Sequence, residues 1–146
     1  MASVQQIAVV LDTNVVVSGL RSPAGASAAL LDRALNRAFT LLLSVALALE
    51  YEAAAKDAEQ RNASGLCEAE VATVLDSLCA VAEPVYCWFL WRPQLRDPAD
   101  EMVLETAING IADGCVSFNR RHFGVVAKRF GIPVLSPQQA LRRISV

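Results

Sequence analysis

The sequence predicts an α/β fold in which a parallel sheet is covered by helices on both faces. Short, continuous apolar runs such as residues 7–11 and 39–44 predict strands that are buried on both faces. Longer segments with apolar residues at helical spacing separate these runs along the chain. Strands that alternate with helices are typical of parallel sheets, because each parallel connection has to cross over the sheet.

The first half of the chain begins with a strand and a helix, with Thr13 or Asn14 near the helix N-cap. The stretch RSPAG interrupts the helical pattern, and a later Ala- and Glu-rich segment consists of strong helix formers. The elements predicted for this half are the strand 7–11, the helices 15–20 and 26–38, the strand 39–44 and the helix 46–60.

The second half continues the alternation. Val71, Leu75 and Leu78 form the apolar stripe of its first helix, and Pro137 suits the first turn of its last helix. The predicted elements are the helix 67–82, the strand 84–89, the helix 101–111, the strand 114–118, the helix 122–130, the strand 133–136 and the helix 138–144.

Composition predicts a single domain over residues 1–146. The chain is 54% hydrophobic and long enough to bury a core. No apolar run approaches the ~18 residues of a membrane span, and MASVQQ lacks a signal-peptide pattern, so we expect a cytoplasmic protein. The cysteines contain no C-x-x-C pair, which argues against a zinc cluster, and a disulfide framework is not expected in the cytosol. We expect all four to be small core residues: Cys67, Cys79, Cys87 and Cys115.

The charge is distributed unevenly. Residues 1–91 carry five Lys or Arg against ten Asp or Glu, whereas residues 92–146 carry eight against five. The basic residues of the C-terminal third either form an ordinary solvated surface or contact an anionic partner.

Acidic residues stand at three points where this fold could form a site. Asp12 directly follows the first predicted strand, and ligands of open parallel sheets bind beyond the carboxyl ends of the strands. An aspartate there could equally cap the next helix. Glu50 lies within a predicted helix, and Asp97 and Asp100 precede another, where acidic residues are ordinary helix-start chemistry.

Four motifs occur in order: LDTN at 11–14, S-x5-E at 44–50, DPxDxxxLxxA at 97–107, and SFNRRHF at 117–123. Together they resemble the PIN-domain family of metal-dependent ribonucleases, in particular toxin components of toxin–antitoxin systems related to VapC-like toxins. The likeness covers residues 7–141. It implies a three-layer α/β/α sandwich with a mostly parallel central sheet.

The resemblance also implies roles for individual residues. The catalytic positions would be Asp12, Glu50, Asp100 and Asn119. The ligands of a Mg²⁺ or Mn²⁺ ion would be Asp12, Asp97 and Asp100, where Asp97 could support or replace Asp100. The substrate-binding positions would be Thr13, Asn14, Ser117, Arg120 and Arg121, although the two arginines could equally be solvated residues at a helix start.

One departure from the family pattern leaves two hypotheses open. Asn119 stands where many members have an aspartate, and His122 stands where another is often found. An amide adds no negative charge, so a second metal ion would be held less tightly. The chain is therefore either an active ribonuclease or a module that binds RNA or a protein without cleavage. A phosphatase with Asp12 as nucleophile would need a second acid where Asn14 stands.

The resemblance implies an RNA substrate, a cognate antitoxin and a homodimer, and no membrane association. The apolar stripe within residues 66–82 either faces the core or forms a docking surface for these protein partners. Trp88 and Trp91 could stack bases, but we expect them in the core or at a partner interface. His122 is expected to be structural or to lie at the edge of the substrate.

Overall fold

A computed structural model describes residues 6–57, 65–88, 98–119 and 127–144. Its strands are β1 (Ala8–Leu11), β2 (Thr40–Leu43), β3 (Glu83–Pro84), β4 (Gly114–Val116) and β5 (Val134–Leu135). Its helices are α1 (Thr13–Arg21), α2 (Ala26–Leu35), α3 (Val45–Lys56), α4 (Glu68–Val81), α5 (Pro98–Asn109) and α6 (Pro137–Ile144). Among the residues described, no helix has the length and apolar character that a membrane crossing requires.

The described strands form one sheet in the order β3-β2-β1-β4-β5, and every neighbouring pair is parallel. The chain runs outward from β1 through β2 to β3, then returns across the sheet to β4 and β5. The direction of winding therefore reverses between β1 and β4. In open parallel sheets this switch point opens a crevice beyond the carboxyl ends of the strands, where ligands bind.

Helices cover both faces of the sheet, because right-handed connections that run in opposite directions lie on opposite faces. The helices α1 to α4 connect β1 to β2 and β2 to β3, and they pack on one another, while α6 packs against α2. The helix α5 connects β3 to β4 and packs across β1, β2 and β4. The result is the three-layer α/β/α sandwich that the sequence predicts.

The core lies around the apolar strands β1 and β2. Their buried residues are Val9, Val10, Leu11, Leu41, Leu42 and Leu43.

Gly110 follows α5 at a close contact. An added Cβ there would lie 2.9 Å from both the Thr106 carbonyl oxygen and Val85 Cγ2. A larger residue would therefore displace the turn between α5 and β4.

The strand predicted at 84–89 is wrong in most of its length. Among the described residues of this segment, only Glu83 and Pro84 pair with β2, and residues 85–88 continue as irregular chain. Residue 89 lies outside the described residues. The Val85 N–H still donates to the Leu43 carbonyl at 2.9 Å. Beyond it, apolar side chains project outward, so the run looks apolar in sequence without being covered as a buried strand.

The core position predicted for all four cysteines is wrong for two of them. Cys67 and Cys79 are exposed, Cys87 is half-buried, and Cys115 on β4 is buried. Cys67 is exposed because it occupies the N-cap of α4, where its N–H donates to Glu70 Oε1 at 3.2 Å. Cys79 is exposed because it lies away from the buried face of that helix.

The apolar stripe of α4 faces the protein's own core. Val71, Leu75 and Leu78 are buried, and the helix packs against α2 and α3. Of the two interpretations of residues 66–82, this contact supports the core-facing one. The homodimer and the antitoxin remain predictions that need another surface.

Candidate active site

The strands β1 and β4 each place a polar side chain at the switch point. Asp12 follows β1 and is 2% exposed, and Ser117 follows β4 and is fully buried. Ser117 Oγ donates to Asp12 Oδ2 at 2.7 Å, and the Asn119 N–H donates to Ser117 Oγ at 3.0 Å. The carboxylate is therefore held in one orientation by a hydrogen-bonded chain that crosses the switch point.

Asp12 also stands at the N-cap of α1, but its side chain makes no capping hydrogen bond. The first turn is instead closed by its backbone carbonyl, which accepts from the Val15 N–H at 2.9 Å. From the sequence, Asp12 could equally cap the next helix or belong to a ligand-binding site. Because the side chain bonds Ser117 across the sheet, its placement favours the site.

Asp100 lies in the first turn of α5 and is 7% exposed. Burial raises the pKa of the Cys115 thiol well above its usual range, and the charges of Asp12 and Asp100 raise it further. Both carboxylates therefore act on the same residue of β4. The two acids therefore lie within electrostatic range of one shared residue, although they are 88 positions apart in the sequence.

Tyr51 fixes α3 against the end of β1. Its hydroxyl donates to the backbone carbonyl of Leu11, the residue before Asp12. Burial raises the pKa of the phenol well above its usual value, and the nearby charge of Asp12 raises it further. Glu50 precedes Tyr51 and is half-buried. The sequence alone assigns Tyr51 no role at the site.

A buried pair of hydroxyl groups joins α3 to α5. Ser44 Oγ accepts from the Leu47 N–H at 3.3 Å and lies 2.8 Å from Thr106 Oγ1. Because the Thr106 hydroxyl donates to the Met102 carbonyl at 2.7 Å, the Ser44 hydroxyl supplies the proton of the bond between them. The helices that carry Glu50 and Asp100 are therefore tied together. Sequence reasoning missed the contribution of Thr106, although it stands inside the DPxDxxxLxxA motif.

The remaining predicted site residues differ in what the structure shows of them. Thr13 is buried, and its Oγ1 has no hydrogen-bond partner within the described part of the chain. Asn14 is exposed and Asn119 is half-buried. Four predicted residues lie outside the described residues: Asp97, Arg120, Arg121 and His122.

The oxygen atoms of the candidate site are of the type that hard divalent cations prefer as ligands. The described residues contain no group of three His, Cys, Asp or Glu that could hold an ion. They do place the carboxylates of Asp12 and Asp100 near one residue of β4, and Thr13 Oγ1 is a buried oxygen beside Asp12. Mg²⁺ usually takes one or two carboxylates and keeps several waters, so oxygen donors of this number suit Mg²⁺ or Mn²⁺ better than Zn²⁺.

Replacing Ser117 tests the bond across the switch point. We expect Ser117→Ala to lower the free energy of unfolding by about 1.5–3 kcal/mol, because a buried carboxylate loses a charge-assisted hydrogen bond. Denaturant unfolding measures this loss. The control is Ser77→Ala, which removes a Ser hydroxyl that donates to a backbone carbonyl on α4. Equal losses in the two variants would contradict a special role for Ser117.

The fold and the site together define a doubly wound α/β protein with a buried carboxylate, Asp12, at its switch point. The chain matches the family model described as PIN domain over residues 8–121, and it belongs to the PIN-domain family. PIN domains are generally nucleases and usually use divalent metal ions. A comparison with curated proteins finds no match.

Proposed function

We propose that this protein is a metal-dependent endoribonuclease and the toxin of a toxin–antitoxin pair. The observation that carries the nuclease part is the hydrogen bond from Ser117 to Asp12 across the switch point. It orients a buried carboxylate that makes no capping bond, in a chain of a family that generally has nuclease activity. Cleavage of RNA by the purified protein in Mn²⁺, in Mg²⁺ and in EDTA tests it.

In this proposal Asp12 and Asp100 hold Mg²⁺ or Mn²⁺, with Asp97 as a further ligand. Such an ion lowers the pKa of a bound water and neutralises charge on the phosphate oxygens. Ser117 fixes the orientation of Asp12, and Tyr51 holds α3 beside it. Glu50 on α3 would accept a proton from the attacking water. Asn14, Arg120 and Arg121 are proposed to contact the phosphate backbone.

The alternative is a PIN-fold module that binds RNA or a protein without cleaving. Asn119 favours it, because an amide contributes no charge to metal binding. However, the hydrogen bond that Asn119 gives to Ser117 comes from its backbone N–H. An aspartate at this position could make the same bond, so the substitution does not disturb the orientation of Asp12.

Restoring the acid at position 119 separates the two possibilities. We expect Asn119→Asp to tighten Mn²⁺ binding about tenfold, because an added carboxylate increases the ligand charge. The melting temperature should then rise further at a given Mn²⁺ concentration, since binding to the native state stabilises it. Asn36→Asp, an exposed position at the end of α2, is the matched control. An unchanged Mn²⁺ response in Asn119→Asp would show that this position lies outside the metal site.

The toxin role has a separate test. Induced expression of the wild-type chain in a bacterial host should arrest growth, and Asp12→Asn should not. Growth arrest by both variants, at equal protein levels, would separate toxicity from the proposed chemistry.

A further inference from the structure

The acidic residues of this chain end at Asp113. Residues 1–113 carry seven Lys or Arg against 15 Asp or Glu, whereas residues 114–146 carry six Lys or Arg and no Asp or Glu. The chain as a whole has a formal net charge of −2. Its positive charge is therefore concentrated in the part of the fold that contains β4, β5 and α6.

Several cations lie toward the amino ends of the strands. Arg37 follows α2, and its backbone carbonyl accepts from Gln6 Nε2 at 2.6 Å, just before β1 begins. Lys128 and Arg129 precede β5, in a turn that the Gly131 N–H closes by donating to the Lys128 carbonyl at 3.1 Å. Since β4 lies between β1 and β5, these two amino ends are about 10 Å apart.

The helix α6 adds two arginines to this side of the fold. It begins one residue beyond β5 and packs against α2 in the helical layer. Because the chain reverses after a strand in a layered α/β fold, the last turn of α6 lies toward the amino ends of the strands. Arg142 and Arg143 stand in that turn, and both are exposed. Six cations together form what we call the basic edge: Arg33, Arg37, Lys128, Arg129, Arg142 and Arg143.

The charge of the basic edge is not used within the fold. Among the residues that the structure describes, none of its six side chains forms an ion pair or a hydrogen bond. The acids near it are Asp32 on α2 and Asp113, whose carboxylate accepts from the Ala8 N–H at 2.7 Å. The segments outside the described residues that adjoin it in sequence, 1–5, 120–126 and 145–146, contain no Asp or Glu. The basic edge therefore keeps an excess of positive charge.

The surroundings of these cations indicate which kind of partner they fit. Basic residues in a last helical turn offset the helix dipole, but Arg37, Lys128 and Arg129 lie outside α2 and α6. The exposed large hydrophobic residues that the structure describes all lie outside α2, α6 and residues 127–131. Interfaces between proteins have an apolar core, whereas interfaces with nucleic acids are polar and positively charged. Arginine in particular pairs with phosphate through two parallel hydrogen bonds.

The helix α6 also connects the basic edge to the candidate active site. The Ser117 N–H donates to the Leu135 carbonyl at 3.0 Å, and α6 begins two residues after Leu135. With eight residues, the helix is about 12 Å long. An RNA strand that lies along α6 can therefore have one phosphate at the switch point and others at Arg142 and Arg143.

We propose that the basic edge binds the phosphate backbone of single-stranded RNA on one side of the cleaved bond. These contacts hold the strand without selecting a base, because phosphate contacts carry no direct sequence information. The inference rests on the proposed nuclease function for its choice of RNA, and it adds that the substrate is a strand long enough to reach from the switch point to the end of α6. An acidic segment of a protein partner is the competing occupant, and the lack of exposed large apolar residues on the described part of the basic edge favours RNA.

The salt dependence of RNA binding tests the basic edge apart from cleavage. Asp12→Asn protein in EDTA is titrated into long, fluorescently labelled oligouridylate and oligoadenylate at several salt concentrations, with anisotropy as the readout. Adding Arg142→Gln and Arg143→Gln should weaken binding of both RNAs about tenfold at ~0.1 M salt. The slope of log K against log salt concentration should become shallower by about 1.4, since each phosphate contact on a single strand contributes ~0.7.

The matched control is the double variant Arg21→Gln with Lys56→Gln. It removes the same charge from the last turns of α1 and α3, where Lys56 already pairs with Glu52 at 3.0 Å. The control should leave the salt slope unchanged. Equal effects of the two double variants, or no effect of Arg142→Gln with Arg143→Gln, would overturn the inference. Tighter binding of polyglutamate than of RNA, lost in Arg142→Gln with Arg143→Gln, would identify an acidic protein partner and also overturn it.

Steady-state cleavage separates failure of the inference from failure of the proposed function. In the otherwise wild-type chain, Arg142→Gln with Arg143→Gln should raise KM for a long RNA about tenfold and leave kcat unchanged, because the contacts are made equally in the ground state and the transition state. An unchanged KM would overturn the inference and leave the nuclease function standing. Absence of any cleavage by the wild type would count against the nuclease function, while the anisotropy titration still decides the basic edge.

Discussion

Asp12→Asn is expected to lower metal-dependent RNA cleavage at least about a hundredfold and to leave the fold intact. The asparagine keeps an oxygen that can accept the Ser117 hydrogen bond, so the local structure is preserved. It removes the charge of a carboxylate that is almost fully buried at the switch point. A hundredfold loss corresponds to about 2.7 kcal/mol of transition-state stabilisation, which is within what a metal ion supplies.

The other end of the same strand provides the matched control. Asp113 Oδ2 accepts from the Ala8 N–H at 2.7 Å, at the amino end of β1. Asp113→Asn makes the same chemical change and can keep the same type of hydrogen bond. However, Asp113 lies at the amino ends of the strands, away from the candidate site. Asp113→Asn should retain activity. Retention of activity by Asp12→Asn, or equal losses of activity in the two variants, would show that Asp12 is not a metal ligand.

The largest expected effect on stability comes from Tyr51. Its side chain is buried, and its hydroxyl bonds the Leu11 carbonyl at the end of β1. Tyr51→Ala should lower the free energy of unfolding by about 3–5 kcal/mol, because it leaves a cavity in the core. Tyr51→Phe should lower it by about 1–3 kcal/mol, because it leaves the buried carbonyl without its donor. Denaturant unfolding measures both, and the exposed Tyr86→Phe is the control.

The raised pKa of the Tyr51 hydroxyl predicts how the stability of the fold changes at alkaline pH. Burial, with the nearby charge of Asp12, raises the pKa of Tyr51 above its ordinary value of 10.0. The unfolded chain therefore loses this proton at lower pH than the folded protein. The contribution of Tyr51 to stability should be complete below pH 10 and should decline as the pH rises above it. Tyr51→Phe should lack this part of the alkaline destabilisation, and an identical pH profile in the two proteins would contradict the assignment.

The sequence predicts those parts of the fold that depend on local pattern. The apolar run before Asp12 indicates a buried strand, and a carboxylate at its end lies at the ligand-binding edge of any open parallel sheet. The alternation of strands and helices indicates the layered fold. The strand order needs long-range pairing, and local patterns do not specify it. Only the structure therefore places β1 next to β4 and Asp12 next to Ser117.

The contacts that sequence reasoning missed are all distant in sequence. Tyr51 lies 40 residues from Leu11, and Ser44 lies 62 residues from Thr106. The hydroxyl groups of these residues offered a signal, because buried hydroxyl groups need partners, but their partners could not be chosen without the fold. The strand predicted at 84–89 is wrong for a different reason. A local apolar run predicts burial, but in this run Tyr86 and Trp88 are exposed.

Direct measurement of Mn²⁺ binding tests the central claim that the carboxylates at the switch point form a metal site. Calorimetric titration of Mn²⁺ into the metal-free wild type, Asp12→Asn and Asp113→Asn requires no knowledge of the RNA target. Saturable binding by the wild type and by Asp113→Asn, lost in Asp12→Asn, is the expected result. No saturable binding by the folded wild type, or undiminished binding by Asp12→Asn, would contradict the claim.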